Sequence, residues 1–553
     1  VGEARSEGPQ QPSLIVSEHF LLCRAAPDPS EPQAAATHDG QTVRLMQTRL
    51  SLATGLLTAL VASWSGSTAG AIAQEPLTVT RALRPIVMLA LSNDHQLYKA
   101  TYNDNIDIDN DRRIETTYDN SYDYYGYFGP ELCYSYSSTN GHFQAVAEAS
   151  NHQCAGGQWS GNFLNWATMT RIDLLRRVLY GGYRSVDTSE RTILERALIP
   201  PDMDAFAKVF VPSGGAAEMA RLTPYSHESI TLCNVTDAAF GQSQELDTST
   251  AQPLIKVAQG AWPLWATGEA SAIQLPCAWR DATSLQEVAP SLSAQGIATL
   301  NARVAARLEG LGQPNCKRYP QAASVKKPTG IIQEFGDSKA VRFGLLSGSY
   351  NNGAAGGVLR RPRGFTADNS DAQEALDEID LDDGTFTGNP GIISTINSFR
   401  INAYDFASNL YTDGCVSPES ADADGAACTN WGNPISELVL ETLRYLAGKA
   451  QPSAAFQSDD SSVNAALAPV AWNDPIAADE WCVKCNILAL TAGVNSFDRD
   501  QLAHDIAGLD GTAETNAVGS AEGIAGYYVL GGNATESDGN CYVREIGSLS
   551  EAR

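Results

Sequence analysis

Asp107, Asp109 and Asp111 set three carboxylates at alternate positions, with the backbone carbonyl of Arg113 able to join them. That is the first half of an EF-hand-type calcium loop, and the chemistry follows from the ion: calcium takes six to eight oxygens, so clustered carboxylates favour it. Two features count against tight binding. Arg112 stands where such a loop turns on Gly, and Tyr118 stands where a bidentate Glu would close it. Given these two defects the pattern reads first as a solvated acidic loop, and any calcium the chain holds is expected here, with affinity of about 10⁻⁴–10⁻³ M, typical of extracellular modules. The run Asp368–Asp383 holds eight acids and no base and reads as a solvated loop.

Other reactive patterns are sparse. Trp481-Cys482-Val483-Lys484-Cys485 has the W-C-x-x-C form of thioredoxin-like oxidoreductases. In those sites the first Cys opens a helix that follows a strand. Here Cys485 runs straight into Asn486–Thr491, a buried-strand pattern, so a structural Cys482–Cys485 disulfide is expected instead. There is no second Cys or His pair at zinc-ligand spacing. With seven His, no G-x-S-x-G and no H-E-x-x-H, the chain gives no positive sign of an enzyme. A secreted calcium-dependent hydrolase or other extracytoplasmic enzyme stays as the alternative to a binding protein.

These residues must be positioned by a mixed α/β chain. Arg84–Leu91 is a short apolar run suited to a buried parallel strand, and Val341–Leu346 and Ile487–Leu490 read likewise. Gly161–Leu179 carries apolar residues at helical spacing and is stopped by Gly181-Gly182. A short helix is expected over 190–198, before Pro200-Pro201, and an amphipathic one over Pro434–Leu446. The stretch 210–325 reads as irregular. Strands alternating with helices predict an α/β, Rossmann-like layered domain with long irregular insertions. Nine of the 20 tyrosines lie between Tyr98 and Tyr136; most are expected to pack an insertion onto the domain, although surface clusters of Tyr also suit partner contacts.

Charge and cysteines bound the setting. A formal charge of −27 and pI near 4.6 argue against nucleic acid, which needs a basic footprint. From Met46 the chain shows a secretory signal pattern: Arg49, the apolar stretch Leu52–Trp64, and an Ala71-Ile72-Ala73 site before Gln74. Thr54, Gly55, Thr58 and Ser63 make that stretch a poor membrane anchor, and no transmembrane segment is expected in the mature chain. Residues 1–45 are set aside as a spurious or disordered leader and 46–73 as signal peptide. Past the leader ten cysteines remain, an even number that reads as disulfides in an exported chain; the short loops Cys133–Cys154 and Cys415–Cys428 are natural pairs.

Several blocks, in order, resemble the PilY/PilC family of type IV pilus tip-associated adhesins and assembly proteins. They are Pro85–His95, Trp159–Arg171, Val178–Gly182, Arg342–Tyr350, Gly356–Arg360 and Trp431–Glu437. The resemblance implies a von Willebrand factor A-like region over 74–553, with insertions at about 92–158, 210–325 and 365–430. A calcium-binding β-propeller would normally follow; the chain ends at Arg553, so the propeller is taken as missing and the A-like domain as incomplete at its C-terminus. Implied partners are minor pilins at the pilus tip and a host-cell or abiotic surface. Implied locations are the periplasm or outer membrane, pilus tip or cell surface. A-type domains hold a divalent cation through D-x-S-x-S after the first strand plus a distant Thr and Asp. Here the corresponding stretches read Ser92-Asn93-Asp94-His95 and Thr491-Ala492-Gly493, so that site is expected to be degenerate, with Asp94 and Ser436 as remnants.

Overall fold

The structure, a computed structural model, describes residues 17–22, 83–104, 114–199, 204–237, 251–266, 277, 292–306, 311, 315–321, 326–364, 378–405, 410–412, 415, 428–477, 480, 482–491, 496–497, 506, 527–529 and 544–546. Its centre is a five-stranded sheet of β1 (Ser17–Leu22), β2 (Ile86–Leu91), β3 (Arg342–Ser347), β4 (Val358–Gly364) and β5 (Lys484–Leu490), in the order β1-β5-β2-β3-β4. β2 runs parallel to both β3 and β5, while β1 and β4 are antiparallel edges. The edge strand β1 comes from the segment set aside above as leader.

A parallel strand covered on both faces needs apolar residues at every position, and β2 shows it. Ile86, Met88 and Ala90 pack with Leu438, Tyr445 and Leu446 of the helix Ile435–Leu446. Leu89 and Leu91, on the opposite face, pack with Ile172, Leu175 and Leu179 of a second helix, and with Ile392, Ile393 and Ile396 of a third. Helices on both faces of a central parallel sheet make the α/β layering that the alternating pattern predicted.

The expected single helix over Gly161–Leu179 is two helices, α1 (Gly161–Thr168) and α2 (Arg171–Tyr180). Met169 and Thr170 between them are extended. Asp173 restarts the helix by accepting from Thr170 Oγ1 at 2.5 Å and from Ala197 N at 2.9 Å, a Thr-x-x-Asp start signal legible in the sequence. Gly181 closes α2 at φ 92°, a left-handed conformation that favours glycine, as expected of the Gly-Gly pair.

Two further expectations are corrected. Residues 190–198 are not helical: Thr192–Glu195 is a strand between Arg184–Asp187 and Arg303–Ala306 in a six-stranded sheet. Tertiary pairing of a Thr-Ile pair outweighs weak local propensity there. The described part of the stretch 210–325 is not irregular either. Phe206–Phe210, Ile230–Asp237, Gln252–Gln259 and Gly296–Asn301 form a four-stranded antiparallel sheet.

Between these two sheets and α1 lies a core rich in aromatic rings, including Tyr118, Tyr124, Tyr127, Tyr134, Phe163, Trp166 and Phe210. Asn162 and Asn165 of α1, both fully buried, hold the tyrosine-rich loop by its backbone. Asn162 accepts from Tyr124 N and donates to Tyr122 O, each at 2.8 Å; Asn165 accepts from Phe128 N at 3.0 Å and donates to Tyr124 O and Phe128 O at 2.7 and 2.8 Å. Buried backbone groups outside a ladder need such partners, which gives the Trp159–Arg171 block a physical role. The tyrosines accordingly build a core.

Disulfides join Cys133–Cys154, Cys233–Cys277 and Cys415–Cys428. The expected Cys482–Cys485 bridge is absent. Cys482 is an exposed free thiol, whereas Cys485 points into the core from β5 and is disulfide-bonded to a partner outside the described residues. Among the described residues no helix is long and apolar enough to cross a membrane.

Candidate functional site

Asp107, Asp109, Asp111 and Arg113 lie outside the described residues, but the base of their loop is built. Asp104, just before it, accepts from Lys208 Nζ at 3.0 Å and from the Trp166 indole at 3.3 Å. Lys208 is 3% exposed, also donates to Tyr102 O, and lies 4.9 Å from the Trp166 ring centroid. Burial pulls its ammonium below the ordinary lysine value, with Asp104 opposing that shift. After the loop, Thr117 reaches the next residue of the same strand, its Oγ1 3.5 Å from Val209 O. The two flanks of the acidic loop, Asp104 and Thr117, are thus fixed to one strand, and Ile114 at its far end is exposed.

The second place to look is the rim beyond the carboxyl ends of β2, β3 and β5, where parallel sheets gather ligands. Ser92 N donates to Leu490 O and Gly348 N to Leu91 O, both at 3.1 Å, so the three loops leave the sheet together. Asp94 is buried, and its own loop occupies its carboxylate: Oδ2 accepts from Ser92 Oγ at 2.5 Å and Oδ1 from Gln96 N at 2.8 Å. Burial raises its carboxyl above the ordinary value despite the Ser92 hydrogen bond. Asp94 therefore serves as the cap of the short 3₁₀ helix His95–Tyr98. His95 is fully buried, accepts from Asn402 N at 3.1 Å, and is pushed down to about 3 by burial, so it is a neutral ring. It packs edge-on against Trp431 at 5.2 Å. Across the rim Asn433 Nδ2 donates to Thr491 Oγ1 at 2.7 Å. Ser436 sits in the first turn of the helix Ile435–Leu446, and Ala492 lies outside the described residues.

The loop after β3 is clamped by a buried ion pair. Asp460 accepts from Ser349 Oγ and Asn351 N at 2.9 Å and from Tyr350 N at 3.2 Å. Arg360 of β4 pairs with the same carboxylate and donates to Ser347 Oγ and Gly348 O at 3.0 Å. The blocks Arg342–Tyr350 and Gly356–Arg360 are thus two sides of one lock, whose acid the sequence reading did not single out.

A third cluster was also missed: Asp123, Glu131 and His152, whose ligand atoms lie within 4.8 Å of one another. No short motif links three residues so far apart in the chain. The one sequence signal was the neighbouring Cys133–Cys154 pair.

Comparison with known proteins bears on this architecture. Residues 115–258 match the family described as PilY1 homolog, small alpha/beta domain, and residues 343–553 match PilY1 homolog, second domain. A curated relative, the type IV pilus biogenesis factor PilY1 homolog of Xylella fastidiosa strain Temecula1, is 32% identical over 413 residues, 70% of this chain and 26% of that protein. A second curated protein of the same name and organism is 41% identical over 95 residues, 16% of this chain and 8% of the relative. The chain thus spans at most about a quarter of the curated relatives it matches. No solved structure matches it. Together the matches support a PilY1-type family for the chain.

Proposed function

We propose that this chain is part of an exported type IV pilus biogenesis factor that acts by binding, as an adhesion and assembly component, and not by catalysis. The observation that carries the reading is the ordered pair of PilY1 homolog domain matches over 115–258 and 343–553, seconded by the 32% identical pilus biogenesis relative. Three disulfides favour an oxidising compartment, in the periplasm, at the outer membrane or on the cell surface.

Within that reading, the central sheet corresponds to a von Willebrand factor A-like domain. Its three parallel strands and the helices on both faces support the assignment. With Asp94 engaged by its own loop, calcium would be held at Asp107, Asp109 and Asp111 instead of at the sheet's rim. Minor pilins at the pilus tip, and a host-cell or abiotic surface, are the partners the reading names.

Deletion of the gene in its host, with complementation, tests the proposal. The expected result is loss of sheared surface pili and of surface attachment, both restored by the complete gene. Unaltered piliation and attachment in the deletion strain would overturn it. A hydrolytic activity of the purified protein that tracked with attachment would favour the enzymatic alternative.

A further inference from the structure

We infer that Asp123, Glu131 and His152 form a binding site for a zinc-class divalent cation, separate from the acidic loop at 107–113. The argument starts from the imidazole. His152 is 5% exposed, and its Nδ1 lies 2.8 Å from the backbone carbonyl of Asn120. A carbonyl oxygen only accepts, so Nδ1 carries a proton and Nε2 is the nitrogen left to face a ligand. That Nε2 points between two carboxylates, 2.9 Å from Asp123 Oδ1 and 3.0 Å from Glu131 Oε1. Two anionic oxygens converging on one ring nitrogen call for positive charge between them, carried by a proton on Nε2 or by a metal ion.

A proton on Nε2 supplies one positive charge against two negative ones. A divalent metal balances them, in a chain whose formal charge of −27 concentrates cations. The second coordination layer agrees: an Nδ1–H donated to a backbone carbonyl is how metal-bound histidines are held in tautomer and orientation. One nitrogen with two carboxylate oxygens suits zinc and its neighbours better than calcium, which prefers an all-oxygen shell. Ligand atoms around tetrahedral zinc stand about 3.3 Å apart, a few tenths more than the two spacings from His152 Nε2. The Asp123 and Glu131 side chains, 77% and 62% exposed, are free to give that much and leave the remaining position open to solvent.

The backbone is committed to this placement. Asn151 and His152 both have positive φ, 50° and 57°, which non-glycine residues seldom adopt. The Ser150–Gln153 bridge, the Asn120 amide on Asn151 O at 3.0 Å, and the Cys133–Cys154 disulfide fix the turn from three sides. Ala149 N donates to Glu131 O at 2.8 Å, bringing the second acid alongside.

The test is zinc titration of the untagged, chelator-stripped, disulfide-intact protein, by calorimetry and by competition with a chromophoric chelator. The expected result is one zinc per chain, not displaced by excess calcium. Asp123→Asn and Glu131→Gln should each weaken it at least tenfold while leaving the metal-free circular dichroism and melting temperature unchanged. Because both acids are exposed, those variants separate binding from folding. His152→Asn, which tolerates the left-handed backbone, should abolish it. Absence of zinc binding below millimolar concentration, or equal affinity in all four proteins, would overturn the inference and leave a proton-held ion pair.

Discussion

Replacing Arg360 with Met should loosen the rim of the central sheet, and the structure sets the size of the effect. The Arg360 side chain is 1% exposed and that of Asp460 0%. Removing the guanidinium strands the carboxylate and takes a donor from Gly348 O, Leu467 O and Ser347 Oγ. Breaking a buried pair from one side costs about 3–5 kcal/mol. Asp460 would keep Ser349 Oγ and the amides of Tyr350 and Asn351, so the lower end applies, roughly 3 kcal/mol or about a hundredfold in the folding equilibrium. Urea unfolding of the disulfide-intact protein, followed by tryptophan fluorescence, would read the loss. Amide exchange at Tyr350 and Asn351 should accelerate in parallel. Asp460→Asn should carry a similar cost, and the double variant should lose much less than the two single losses added together. A cost within about 0.5 kcal/mol for Arg360→Met, the range of ordinary surface changes, or strict additivity in the double variant, would refute the lock.

Non-reducing peptide mapping should recover Cys133–Cys154, Cys233–Cys277 and Cys415–Cys428, with Cys482 alkylated without reductant; opening the first by Cys154→Ser should cost about 3 kcal/mol for its 21-residue loop. Burial pushes the Asp187 carboxyl up, but Arg184, Lys327 and the Phe386 amide outweigh it and hold it below its ordinary 3.8. Its stabilisation is therefore present above that value and fades as the pH falls through the folded pKa; in acid melts the gap between the wild type and Asp187→Asn should close below about pH 4. Calcium calorimetry should show weak binding that Asp109→Ala removes and Asp94→Ala spares; the reverse would move calcium to the rim.

What the sequence disclosed follows from how local each signal is. The strands around Val87, Phe343 and Leu488 were legible because burial on both faces favours short, dense apolar runs, complete in Ile86–Leu91 and interrupted by polar residues in the other two. The helix Ile435–Leu446 was legible through its 3.6-residue period. The strand Thr192–Glu195 was not, since four residues carry too little pattern and its partner Arg303–Ala306 lies over a hundred residues away. The break at Met169-Thr170 had a local signal in Thr170 and Asp173, hidden inside a longer apolar period. Cys133–Cys154 could be paired by eye, whereas Cys233–Cys277 spans 44 residues and has no such cue. The His152 site was invisible for a related reason: only the turn at Asn151 and the hairpin beside Glu131 bring its ligands together.

The three disulfides within the described residues also set how their parts of the chain would respond to tension, the load borne by anything that tethers a cell to a surface. They close spans of 21, 44 and 13 residues. At roughly 3.3–3.6 Å per extended residue, about 260–280 Å of contour would stay locked after the folded elements around them had given way. A pulled molecule would therefore lengthen in limited steps and stay stiff where an uncross-linked chain would run out. Reductant would release that length together with whatever the Cys485 bridge holds, so single-molecule extension should be longer with it by at least that amount.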